Sequence, residues 1–83
     1  MEHISLCSAV ARRLKKLLVE KNMSLYRLEQ NAGIEHGAMY YLINEKNKNV
    51  HLKTVYQIAK GLGISFKEFV DDELFDDKNF DLK

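Results

Sequence analysis

Not one of the 83 residues is a proline, and only four are glycine. A chain this poor in turn-forming residues cannot supply the many tight reversals of a β-sandwich, whereas a helix needs neither residue except near its ends. The apolar residues agree. Val10, Leu14, Leu17 and Leu18 recur at helical spacing, with Arg12, Arg13, Lys15 and Lys16 on the other faces, which predicts a first helix over about residues 6–22. Ser24 stands where an N-cap belongs, because its hydroxyl can take an amide that the first turn leaves unpaired. Met23 before it can pack on Leu28 as a hydrophobic staple. A second helix over 25–32 then ends at Gly33, where a left-handed residue is needed.

A third helix is predicted at 36–44, with Met39, Leu42 and Ile43 as its apolar stripe and Ala38 small enough for a close crossing. The six polar residues Asn44 to Asn49 read as a loop. Leu52, Val55, Ile58, Ala59 and Leu62 mark a fourth helix over 52–61, whose end Gly61 and Gly63 bracket. Ser65 with Glu68 forms a capping box for a short fifth helix, 66–71, that buries Phe66, Phe69 and Val70. The expected architecture is all-α, one compact five-helix bundle over residues 1–72, followed by an acidic tail at 73–83. In that tail Leu74, Phe75, Phe80 and Leu82 either join a dimer surface or fold back on the body.

Several classes drop out. The single cysteine, Cys7, excludes an internal disulfide framework and any site of several thiolates, and reads as a small apolar residue of the first helix. His3, His36 and His51 have no metal-ligand spacing, and no nucleophile–base set or Gly-rich phosphate loop is present, so no cofactor and no catalysis are expected. Asp71-Asp72-Glu73 reads as solvated acid rather than a cation site. No apolar run approaches the roughly 18 residues that span a bilayer, so no membrane partner is expected. The opening MEHISLCSAVARR has its charges after a short mixed stretch, unlike a signal peptide, and a cytoplasmic setting follows as the expectation.

The net charge of +1 hides a polarity. Residues 1–67 hold eleven Lys and Arg against five Asp and Glu, and residues 68–83 hold two against seven. A basic body with an acidic end suits contact with a polyanion, but charge alone speaks more for an ordinary solvated surface with a frayed acidic end. The segment Ser24–Lys46 sharpens the choice. Two helices joined by a short turn containing Gly cross at about 90–120°, which lets the second lie in a DNA major groove. Leu28, Ala32, Ile34, Met39 and Leu42 would knit the pair, leaving His36, Gly37, Tyr40, Tyr41 and Asn44 on the outward face.

With these residues in view, the sequence resembles the phage repressor/Cro-type (xenobiotic-response-element) helix-turn-helix family. Matching pieces are Arg13-Leu14-Lys15-Lys16-Leu17, Met23-Ser24, Leu28, Gly33-Ile34, Met39, Leu42 and Asn44, then the long block from Leu52 to Ser65 and Phe66-Lys67-Glu68-Phe69. The resemblance implies a lambda-repressor-like fold, its helix-turn-helix formed by helices 2 and 3. It further implies a sequence-specific transcriptional regulator, usually a repressor, that binds a double-stranded DNA operator as a homodimer. Carried over by position, Glu35, His36, Gly37, Tyr40 and Tyr41 would face the bases. His36 would donate to guanine N7 or O6, Glu35 would accept from cytosine N4, and Tyr41 would hydrogen-bond or press on a thymine methyl. Ser24, Asn44, Lys46 and Lys48 would hold backbone phosphates, as would the amides opening helix 2.

Three positions depart from the family: Leu25, Glu29 and Glu45 stand where Gln, Ala and Gly are usual. The base-facing residues also include no Lys or Arg. These departures keep open an alternative, a protein-interaction module with a repressor-like fold that has lost its operator.

Overall fold

Most helix boundaries among the described residues follow from local chemistry. In a computed structural model, which describes residues 4–80, five α-helices run in order: α1 Leu6–Glu20, α2 Leu25–Ala32, α3 His36–Ile43, α4 Leu52–Leu62 and α5 Phe66–Val70. Two 3₁₀ turns follow, Glu73–Phe75 and Asp77–Asn79. Serine hydroxyls cap three helices: Ser5 accepts from Ser8 N–H, Ser24 from Arg27 N–H and Ser65 from Glu68 N–H.

The four longer helices end alike. Past each, one residue takes a left-handed conformation, and the next amide reaches back to a carbonyl five residues earlier: Met23 to Leu18, Ile34 to Glu29, Lys46 to Tyr41 and Ile64 to Ala59. The left-handed positions are Asn22, Gly33, Glu45 and Gly63. Glu45, at φ 58°, holds a conformation that a side chain disfavours, which gives the departure from glycine there a physical meaning.

Val10, Leu14, Leu17, Leu28, Met39, Leu42, Val55, Ile58, Ala59, Leu62 and Phe69 form one core, with every α-helix contributing. Met23 packs at its edge. Its tightest crossing is not where a small residue on α3 was expected, since Ala38 is exposed. That crossing lies between α2 and α4. Gly61 is buried inside α4, and a Cβ there would stand 2.9 Å from both Ala32 Cβ and Leu28 Cδ1. The Asn31 amide also donates to the Gly61 carbonyl at 3.2 Å. Gly61 thus serves a close approach and does not terminate its helix.

Arg13 differs from the outward position that its neighbours suggested. It is 7% exposed, and its guanidinium donates to the Phe69 carbonyl at 2.8 Å and the Glu68 carbonyl at 3.0 Å, closing the orphaned end of α5. It also meets Asp72 at 3.2 Å, and Lys16 meets the same carboxylate oxygen at 3.0 Å. Asp72 in turn accepts from Leu74 N–H, starting the first 3₁₀ turn.

The first 3₁₀ turn therefore lies against α1, with Phe75 packed on Phe69 of α5 at a ring separation of 6.1 Å, and the Ile4 amide donates to the Asn79 carbonyl. Leu74 and Phe80 are half-buried, and Leu82 lies outside the described residues. Cys7 is buried in α1, and loss of solvent raises its thiol above the ordinary range, away from thiolate reactivity.

Candidate nucleic-acid interface

The geometry of α3 starts from its two apolar anchors. Met39 and Leu42 are buried, one turn apart, so residues on the other arc of this short helix must face outward. Glu35, His36, Gly37, Ala38, Tyr40, Tyr41 and Asn44 are all exposed. Tyr40 and Tyr41, between which the sequence could not choose, are 46% and 55% exposed, so neither enters the core.

The outward face is a row of rings. His36 and Tyr40 have centroids 6.4 Å apart, and Tyr40 and Tyr41 6.2 Å. Lys46 continues the row, its ammonium 6.0 Å from the Tyr40 ring centre. Asn44 donates one N–H of its side-chain amide to the Tyr40 carbonyl at 2.9 Å, which helps close the helix and leaves the second N–H and the carbonyl oxygen for other partners. Lys48 is exposed in the following loop. Ser24, at the start of α2, accepts from Arg27 N–H and keeps its own hydroxyl proton available to an anion.

At the front of the face, His36 is held from behind. Its Nδ1 lies 2.9 Å from Glu29 Oε2, on the neighbouring helix of the corner. The Glu29 side chain is 8% exposed and that of His36 74%. Glu29, which had to turn outward or find a partner, finds one in the first residue of α3. Gly37 beside it has nothing within 4 Å of where a Cβ would stand, so the backbone there is open to close approach.

Sequence reasoning missed this buried anchor. Its signal was a carboxylate seven residues before a histidine, across a glycine turn. It also assigned Ala38 inward, whereas Ala38 adds a small apolar patch between Gly37 and Tyr41 on the exposed face.

Among the described residues no group of His, Cys, Asp and Glu is arranged to hold a metal ion, and no helix is long and apolar enough to cross a membrane. A family model for the Cro/C1-type HTH DNA-binding domain matches residues 13–74, from the buried arginine of α1 to the first 3₁₀ turn. No curated protein and no solved structure matches the chain.

Proposed function

Because the chain belongs to the Cro/C1-type helix-turn-helix family of DNA-binding regulatory domains, with its lambda-repressor-like all-α fold, we propose that it represses transcription by laying α3 in the major groove of an operator. One observation carries this reading. The whole polar and aromatic arc of α3 is left to solvent while its apolar arc is spent in the core, and lysines flank its far end.

In the proposed complex Glu35, His36, Gly37, Tyr40 and Tyr41 meet base edges, the two tyrosines chiefly through thymine methyl groups and hydrogen bonds. Ser24, Asn44, Lys46 and Lys48 meet phosphates, together with the amides of Leu25 and Tyr26 at the positive end of α2. The protein works by binding alone, in the cytoplasm, with no cofactor.

A second copy on a two-fold operator completes the reading. The groove lined by Leu52, Tyr56 and Phe66 supports it, since Leu52 is 70% exposed and Tyr56 50%. Selection of bound duplexes from a random library tests the function and the symmetry together: an enriched palindrome is expected, and no enrichment would overturn the proposal. Affinity should fall with salt along a slope set by roughly three to six phosphate contacts per subunit. Lys46→Ala should weaken all sequences alike and lower that slope by about one.

The absence of Lys and Arg from α3 favours one other reading, a module that binds protein instead of DNA. Duplex binding undetectable at low salt would select it.

A further inference from the structure

Resting on the DNA-binding reading, we propose that Glu29 sets the proton position on His36 and so decides which bases the start of α3 accepts. Neutral His36 selects bases that offer an exocyclic amine in the major groove, cytosine or adenine. Charged His36 selects guanine.

The argument begins with the buried carboxylate. An ionised carboxylate can only accept hydrogen bonds, so the ring nitrogen 2.9 Å from Glu29 Oε2, which is Nδ1, must carry the proton. A neutral imidazole has a single N–H, and Nε2 is then bare and accepts. With the His36 side chain 74% exposed and its Nδ1 turned to α2, that bare nitrogen is the group left for a ligand. In the major groove adenine N6 and cytosine N4 donate, whereas guanine N7 and O6 and thymine O4 accept. A bare Nε2 against guanine sets lone pair against lone pair. For the neutral ring the proposal thus departs from the sequence expectation that His36 donates to guanine.

Protonation inverts the preference. The charged ring keeps its bond to Glu29 and gains a second N–H at Nε2, which suits guanine. The groups that bear on the change are few. Glu29 faces the ring from α2, Glu35 precedes it at the helix start, and the Tyr40 ring lies one turn on at 6.4 Å. Gly37 matters here as well, because the open space at its Cα lets a base edge come near the imidazole.

Two measurements test the proposal, the first without DNA. Long-range ¹⁵N–¹H NMR correlations on the free protein should show neutral His36 with Nδ1 protonated and Nε2 bare. In Glu29→Gln, whose amide can donate as well as accept, the lock should be lost and the Nε2-protonated form should appear. A parent spectrum showing Nε2–H, or a Glu29→Gln spectrum identical to the parent's, overturns the proposal; the parent spectrum decides alone if the variant does not fold.

The second is duplex selection at either side of the range, about pH 5 to 8, in which histidines as a class change charge. One operator position should change from adenine or cytosine at the higher pH to guanine at the lower, by at least about fivefold, the low end for one base contact. His36→Ala should abolish the change. A pH-independent preference at every position overturns the proposal. If the parent enriches no sequence at any pH, the DNA-binding reading falls and this base preference with it, while the NMR spectrum still decides the tautomer by itself.

Discussion

Removing the Asp72 carboxylate should be among the most damaging changes available near the surface of this protein. Asp72 pairs with the buried Arg13 at 3.2 Å, meets Lys16 at 3.0 Å and accepts the amide of Leu74 at 2.9 Å. Both side chains of the Arg13 pair are 9% exposed. Breaking a buried pair from one side costs about 3–5 kcal/mol, because the remaining charge stays desolvated. Arg13 keeps its two carbonyl acceptors, which reduces the expected cost of this part to about 2 kcal/mol. The half-exposed Lys16 adds little. Loss of the cap on the first 3₁₀ turn adds about 1 kcal/mol.

Asp72→Ala should therefore lose about 3 kcal/mol, out of a total stability of about 4–12 kcal/mol for a chain of this length. Asp72→Asn, which keeps an acceptor for Leu74, should lose about 2 kcal/mol. Urea denaturation measures both, and Tm should fall by roughly 12–24 °C for the alanine variant. Acid supplies the control. The Leu74 amide holds the Asp72 carboxyl below the ordinary carboxylate range; burial acts against this, and Lys16 and Arg13 reinforce it. A folded-state value below the unfolded one, about 3.9, gives stability that is complete above the unfolded value and lost as pH falls through the folded one. The gap between parent and Asp72→Asn should thus be constant near neutrality and narrow in acid. A variant within about 0.5 kcal/mol of the parent at neutral pH, or a gap indifferent to acid, would refute the reasoning.

Gly61→Ala should cost about 1–3 kcal/mol by urea denaturation, since its methyl group would meet Ala32 and Leu28 at 2.9 Å; an unchanged midpoint would mean that α2 and α4 separate freely. Glu45→Gly should raise stability by about 1 kcal/mol by relieving the left-handed side chain, and a lower Tm would show that Glu45 makes a compensating contact. Gly37→Ala should stabilise the free protein by about 0.5–1 kcal/mol, because the site is helical and open, yet weaken duplex binding by crowding the face of α3 proposed to meet the bases. Unchanged affinity in that variant would place the start of α3 away from the DNA.

What could be read from the sequence divides by range. Caps and stops are local: Ser24, Ser65, Gly33 and Gly63 act on amides and carbonyls a few residues away, so α2 and the turn to α3 were legible to the residue. The apolar spacing likewise identified Leu14, Leu28, Met39, Leu42 and Ile58 as core. Pairings across the chain left no such trace. Arg13 sits among other cations on α1 and looks solvated until Phe69 and Asp72, more than fifty residues on, are placed beside it. Gly61 resembles a helix terminator because only the approach of Ala32 shows that its missing side chain is a packing requirement. In the candidate interface, the exposed arc of α3 followed from periodicity. The grip of Glu29 on His36 did not, since it depends on the angle at which two short helices cross.

The bond from the Ile4 amide to the Asn79 carbonyl brings the outer ends of the described chain side by side. Joining them through a short linker and opening the backbone in the polar stretch 46–49 would yield a circular permutant with every helix still in its place. In such a rearranged protein Lys46 and Lys48, which we propose meet phosphates, would stand at new, loose ends, while the exposed face of α3 stayed on its rigid frame. The contribution of that loop to DNA affinity could then be measured apart from the fold that carries it.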